Sequence, residues 1–288
     1  MISPQISIGP LTFHLYGFII AIAIYLGWTL VKKRAHLYKI SPKIFDDPFL
    51  LIPLILGIIG ARLYHVLDFW SYYRENPSQI IAITNGGLGI WGALAGIFAG
   101  LGIFARIKKI NFLSLLDLTA SSILLGQALG RIGNYVNQEG FGPPTNLPWS
   151  VYIAPENRPV QFLTSTHFHP TFFYEAILDL IFFLLLLYLS SLSFPRPLLS
   201  FPRKRESRVQ PSSGFSIRSR MTVEKPGQVF ALYLIFYSTA RFIAELWRID
   251  TWTLGEVKIA HLLAAATFFI GFLLLSFTIF RAKLTNNP

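Results

Sequence analysis

The chain has no cysteine. That excludes a disulfide framework, a thiolate nucleophile of its own and any Cys-ligated metal. Charge is scarce as well: only 14% of the 288 residues are Asp, Glu, Lys or Arg, against about 25% in a soluble domain. So few polar groups do not cover the surface of a water-soluble fold of this length, and disorder, collagen and coiled coil are excluded by the same composition. Acidic residues are the scarcer sign, 14 against 25 basic ones, leaving a net charge of +11. What is abundant is apolar: 53% of the chain, with 15% aromatic. This is the composition of a polytopic membrane protein.

A bilayer-spanning helix needs about 20 mainly apolar residues. Seven stretches qualify: Phe13–Val31, Phe49–Leu67, Gly86–Ala105, Leu113–Gly133, Phe172–Leu192, Gln228–Trp247 and Ile259–Phe280. The expected fold is therefore all-α, a single integral membrane domain over residues 1–288 with seven transmembrane helices. The fourth stretch contains Asp117, and the sixth contains Arg241 and Glu245. Met1–Thr12 has no Lys or Arg and lacks the charged start of a cleavable signal peptide, so the first span is expected to be retained. Basic residues crowd the connections after spans one, three and five and the C-terminal tail, whereas the opposite connections hold only Arg74, Arg158, Arg248 and Lys258. By the positive-inside rule the N-terminus is outside and the C-terminus cytoplasmic.

Two connections are long. Residues 134–171 are rich in Pro, Gly and Asn but carry Trp149, Tyr152, Phe162 and Phe168, which predicts a folded or interfacial external arm. Residues 193–226 are basic and rich in Pro and Ser without apolar periodicity, which predicts a disordered cytoplasmic insert, either merely solvated or held at the lipid surface. The basic groups are interrupted by hydrophobic spans, so no nucleic-acid groove is supported.

The informative residues are those that hydrocarbon excludes, since a charge at mid-bilayer costs about 2.5–3.5 kcal/mol on insertion scales. Tyr237, Arg241 and Glu245 follow one another at intervals of four and share a helical face, either as half of a polar site or as a self-neutralising ion pair. The run Gly130-Arg131-Ile132-Gly133-Asn134-Tyr135-Val136-Asn137-Gln138-Glu139 follows span four. Its glycines are expected to break the helix and let backbone approach a ligand. Arg131 offers a planar fork suited to a phosphodiester, and Asn134 and Asn137 offer donors for ester or glycerol oxygens. The alternative is a helix-ending turn with Arg131 snorkelling to the interface. His169-Pro170-Thr171 opens span five, and Glu175 lies one turn inside it. Tyr16 in span one points either into a cavity or into the aromatic belt. No metal-ligand spacing, nucleophile elbow or phosphate loop is present.

Taken together, Gly130–Gly140, His169–Glu175 and the Tyr237, Arg241, Glu245 stripe resemble, in order, motifs of the prolipoprotein diacylglyceryl transferase family. Leu15-Tyr16-Gly17 and Gly86–Gly92 fit the same order. The resemblance covers residues 10–280 apart from the insert. It implies a multi-pass enzyme of the bacterial inner membrane, expected to be monomeric, and implies no metal or cofactor. Such an enzyme moves a diacylglyceryl group from phosphatidylglycerol to the lipobox cysteine of a preprolipoprotein, forming a thioether and releasing glycerol phosphate. It also implies catalytic roles for Arg131, Glu139, His169, Arg241 and Glu245, and substrate contacts from Tyr16, Arg131, Asn134, Asn137 and Tyr237. Many relatives carry a His after the span-three glycines, proposed as the thiol base; this chain has Trp91 there. The base is then His169, a carboxylate or a tyrosine, or nearby arginines stabilise the thiolate. A lipid or solute transporter using the same polar cavity is the alternative function, although no internal repeat supports one.

Overall fold

The structure is a computed structural model that describes residues 5–8, 11–83, 86–192 and 226–286. Eight α-helices make up most of it: α1 Leu15–Arg34, α2 Leu51–Asp68, α3 Trp70–Glu75, α4 Ile90–Ile107, α5 Phe112–Asn137, α6 Thr171–Leu192, α7 Gln228–Glu245 and α8 Ile259–Asn286. Six helical segments of the described chain are long and apolar enough to cross a membrane, and they contain α1, α2, α4, α5 and most of α6 and α8. The sixth expected span forms as α7 over 18 residues, but its polar residues keep it outside that set. Of the expected 193–226 insert, residues 193–225 lie outside the described residues, as does Asn85.

The chain divides into two compact units, and α1 and α5 each contribute to both. In the unit Leu26–Thr119, α2 and α4 meet backbone to backbone. A Cβ on Gly92 would lie 2.0 Å from the Gly60 carbonyl oxygen, so only glycine permits this approach. The span-three glycines therefore serve packing at Gly92, while Gly86 and Gly87 stand ahead of the helix. Arg62, buried on α2, donates to the carbonyls of Ile80 (2.9 Å), Gly86 (2.7 Å), Gly87 (2.8 Å), Ala82 (3.3 Å) and Gln79. Its charge is satisfied by backbone dipoles, and the connection into α4 is gathered around it. Near the far end of these helices Lys108 Nζ lies 2.5 Å from Asp47 Oδ2, and Lys32 Nζ lies 2.8 Å from Asp46 Oδ1. Lys108, and then the amide of Phe49, hold the Asp47 carboxyl below the usual carboxylate range.

The other unit holds the first part of α1 and the chain from Ala120 onward. Its N-terminal strands, β1 Gln5–Ile8 and β2 Leu11–His14, pair antiparallel with Gln5 opposite His14. The connection between α5 and α6 carries structure of its own: β3 Val151–Tyr152 pairs with β4 His167–Phe168. Phe141, Ile153, Phe168 and Phe172 form a small apolar core beneath them. Thr171 starts α6 where Pro170 predicts it, and its hydroxyl donates to the Gly140 carbonyl at 2.5 Å. The short hairpin of β5 Thr253–Leu254 and β6 Val257–Lys258 links α7 to α8. Lys258 Nζ donates to the carbonyls of Glu245 and Arg248, each at 2.6 Å. A cation on the last carbonyls of α7 satisfies acceptors that the helix leaves open and complements its dipole.

One local expectation is corrected. The glycines at 130 and 133 do not break the chain out of helix: α5 runs through both and ends at Asn137. Two isolated glycines cost a helix only about 1 kcal/mol each, and the packing of α5 outweighs that. The turn comes instead at Gln138 (φ 53°) and Gly140 (φ 71°).

Candidate active site

Because α5 continues to Asn137, Arg131 and Asn134 lie on one helical face, three residues apart. Arg131 Nη1 donates to Asn134 Oδ1 at 3.1 Å. The amides of Asn134 and Asn137 both donate to Glu139 Oε1, at 3.2 and 3.1 Å. Glu139 thus holds the two asparagines and connects to Arg131 through Asn134. Just beyond, Gln138 Oε1 accepts from the Ala154 amide at 2.6 Å and ties the turn to the folded arm.

The other face of the site comes from α6 and α7. Glu175 takes Arg131 Nη2 on Oε1 at 2.5 Å and Arg241 Nη1 on Oε2 at 3.1 Å. Arg241 Nη2 reaches Glu245 Oε2 at 2.6 Å, and the Thr251 hydroxyl donates to the other Glu245 oxygen. Cations and anions therefore alternate along one line: Arg131, Glu175, Arg241, Glu245. Arg241 and Glu245 pair along α7, and the second guanidinium nitrogen leaves the helix for α6. The carboxylates are the closed side of this line, at 2% and 0% exposure, whereas the Arg131 and Arg241 side chains keep 20% and 19%. A newly arriving anion meets guanidinium first.

Tyr237 sits one turn before Arg241, its ring stacked on Tyr233 with centroids 6.1 Å apart. The Tyr233 hydroxyl accepts from Gln127 on α5 at 3.2 Å. Tyr16, in the first turn of α1, lies over Gly133: a Cβ there would come within 2.4 Å of the Tyr16 ring. The tyrosine is thereby seated between the levels of Arg131 and Asn137 on α5, and residue 133 is glycine because the ring occupies that space.

Arg131, Asn134, Asn137, Glu139, Tyr16, Tyr237, Arg241 and Glu245 belong to this one unit and gather around α5 and α7. His169 stands apart in its bonding. Its Nδ1 lies 3.1 Å from the Tyr174 hydroxyl, which also accepts from Trp149 Nε1 at 2.9 Å. Among the described residues no side-chain bond joins His169 to the arginine–carboxylate line. Trp91 lies in the first turn of α4. The residue that the expected site set omits is Glu175, which joins the two arginines. The signal available was its position: an acidic residue in an otherwise apolar span, repeated four residues later by Asp179. Both Asp179 oxygens are buried, and neither has a hydrogen-bond partner among the described residues. No group of three or more His, Asp or Glu suited to a metal occurs among the described residues.

A family model described as prolipoprotein diacylglyceryl transferase matches residues 4–203 and 213–277. The phosphatidylglycerol–prolipoprotein diacylglyceryl transferase of Nostoc sp. is 40% identical over 267 residues, 92% of this chain and 85% of that one. The protein of the same name from Fervidobacterium nodosum is 35% identical over 266 residues, 92% of this chain and 81% of its own. That of Thermosynechococcus vestitus is 32% identical over 283 residues, covering 98% and 93%.

Proposed function

This chain belongs to the prolipoprotein diacylglyceryl transferase family, and from that premise we propose that it transfers a diacylglyceryl group from phosphatidylglycerol to the lipobox cysteine of a preprolipoprotein. The observation that carries this reading is the pair of partly exposed guanidinium groups, Arg131 and Arg241, converging from α5 and α7. In the reaction the cysteine sulfur attacks the glyceryl carbon bound to phosphate. A sulfur–carbon bond forms, the carbon–oxygen bond breaks, and its electron pair leaves on glycerol phosphate. Negative charge grows on that departing oxygen. Two planar cations held between α5 and α7 stabilise it with little reorganisation, a type of effect worth about 3–4 kcal/mol per donor.

The other residues divide the remaining work. Tyr16, Asn134 and Asn137 orient the lipid head group, and Glu139 fixes the two amides. Glu245, held by Thr251, keeps Arg241 turned toward the substrate, and Tyr237 walls the cleft one turn away. His169 positions Tyr174 and the arm above α6. In this reading the protein is a monomer of the bacterial inner membrane, crossed seven times with α7 as the extra span. Its N-terminus and the arm at 134–171 are periplasmic, and its C-terminus is cytoplasmic, as the basic residues require. Purified protein, phosphatidylglycerol vesicles and a lipobox peptide test it directly by mass spectrometry. The peptide gains one diacylglyceryl mass, and Arg131→Ala abolishes the gain while the protein still inserts. Absence of any gain with the unaltered protein overturns the reading.

A further inference from the structure

We propose that Glu175 is a catalytic residue, an internal anion that the lipid phosphate displaces and that then takes the proton of the attacking thiol. The inference rests on the transferase reading above. It begins from charge arithmetic. At rest two guanidinium groups face two carboxylates, Glu175 and Glu245, and the line is balanced. An arriving phosphodiester puts three anions against two cations, and one anion must yield. Glu245 has Thr251 as a further partner and is wholly buried behind Arg241. Among the described residues Glu175 is held by the arginines alone, so the phosphate and Glu175 compete for the same nitrogens.

The surroundings decide what the displaced carboxylate does. Arg131 faces it from α5, Arg241 and Tyr237 from α7, Arg248 from beyond the end of α7, and Asp179 from its own helix. Arg248 is already engaged with Asp250 at 2.8 Å, and Asp179 adds only a further acid. No fresh cation replaces the two that the lipid takes. A buried carboxylate stripped of its counter-ions is neutralised by a proton, and the proton at hand is that of the lipobox thiol. The thiol proton passes to a Glu175 oxygen, the sulfur lone pair makes the bond to carbon, and the carbon–oxygen pair departs on phosphate held by both arginines. Glu175 then returns the proton to the leaving glycerol phosphate. Its restored carboxylate closes again on Arg131 and Arg241, which expels the product. This supplies the base that a chain with Trp91 in place of histidine otherwise lacks.

The test compares wild type with Glu175→Gln and Glu175→Asp in two assays. For binding, wild type and both variants are titrated with phosphatidylglycerol vesicles without peptide. Glu175→Gln binds at least as tightly as wild type, because the internal competitor has lost its charge. For transfer, Glu175→Gln falls by about a hundredfold or more near neutral pH, the usual range for a lost general base. Its residual rate then climbs about fiftyfold between pH 6.5 and 8.5, because the peptide thiol, with pKa near 8.5, ionises unaided. Wild type climbs far less, and Glu175→Asp recovers part of the rate with the wild-type pH profile. Weakened lipid binding in Glu175→Gln, or a loss of rate equal at every pH, overturns the proposal in favour of a merely structural ion pair. Wild-type rates in Glu175→Gln at neutral pH overturn it also. Failure of wild type itself to lipidate the peptide refutes the transferase reading, and the vesicle titration still reports whether Glu175 competes with phosphate.

Discussion

The alternating line Arg131–Glu175–Arg241–Glu245 makes a quantitative statement about stability. Replacing Arg241 by Met removes a counter-ion from two buried carboxylates at once. Glu175 keeps Arg131 at 2.5 Å, but Glu245, with 0% exposure, keeps the Thr251 hydroxyl as its side-chain hydrogen-bond partner, and the nearby Arg248 is engaged with Asp250. Breaking a buried pair in this way costs about 3–5 kcal/mol. For a chain of this size that lowers the unfolding midpoint by roughly 5–8 °C. Glu245→Gln is milder, about 1.5–3 kcal/mol, because Arg241 stays bonded to Glu175. The double variant Arg241→Met with Glu245→Gln removes both the cation and the carboxylate it stranded, while Arg131 and Glu175 remain paired. It is therefore more stable than Arg241→Met alone, by about 2 kcal/mol, and the two substitutions are strongly non-additive. The measurement is the thermal midpoint of the four proteins in one detergent. A double variant as unstable as the sum of the singles would show that Glu245 has another counter-ion and that the line is not the unit described here.

Three further outcomes follow from other contacts. Gly133→Ala drives a methyl into the Tyr16 ring and lowers lipid transfer about tenfold, and adding Tyr16→Ala causes little further loss, as steady-state kinetics on the double variant will show. Gly92→Ala, with a Cβ 2.0 Å from the Gly60 oxygen, forces α2 and α4 apart and destabilises by about 1–3 kcal/mol, read from the same thermal midpoint. The lowered Asp47 carboxyl contributes stability that is fully present above the usual carboxylate range and is lost as pH falls through its folded value; an acid titration of the midpoint shows this component in wild type and not in Asp47→Asn.

Six of the seven expected spans were legible as helices long and apolar enough to cross a bilayer, because a period-free apolar run of that length has few other uses, and α6 began at the residue that Pro170 marks. The polar groups were legible as exceptions within those runs. What escaped was relation rather than identity. Arg241 and Glu245 betray each other by spacing on one helix, but nothing in the spacing of residues 131, 175 and 241 says that three helices meet at one carboxylate. Glu175 was visible as an acidic residue in apolar surroundings, and only the packing of α5, α6 and α7 makes it the centre. The α5 terminus was misread for a different reason. Gly130 and Gly133 have low helix propensity, and propensity yields where tertiary contacts such as the Tyr16 ring are available.

The unbroken course of α5 to Asn137 turns the motif into a gauge of angle. Each residue along a helix advances the side chain by about 100°, so Arg131 and Asn134 face the same way only while two residues stand between them. One residue inserted or removed there would swing the asparagine off the arginine and carry Glu139 away with it, although every chemical group would still be present. Substitution of Ile132 leaves that angle as it is, and Gly133 is held to glycine by the Tyr16 ring. The length of this stretch is constrained separately from its letters.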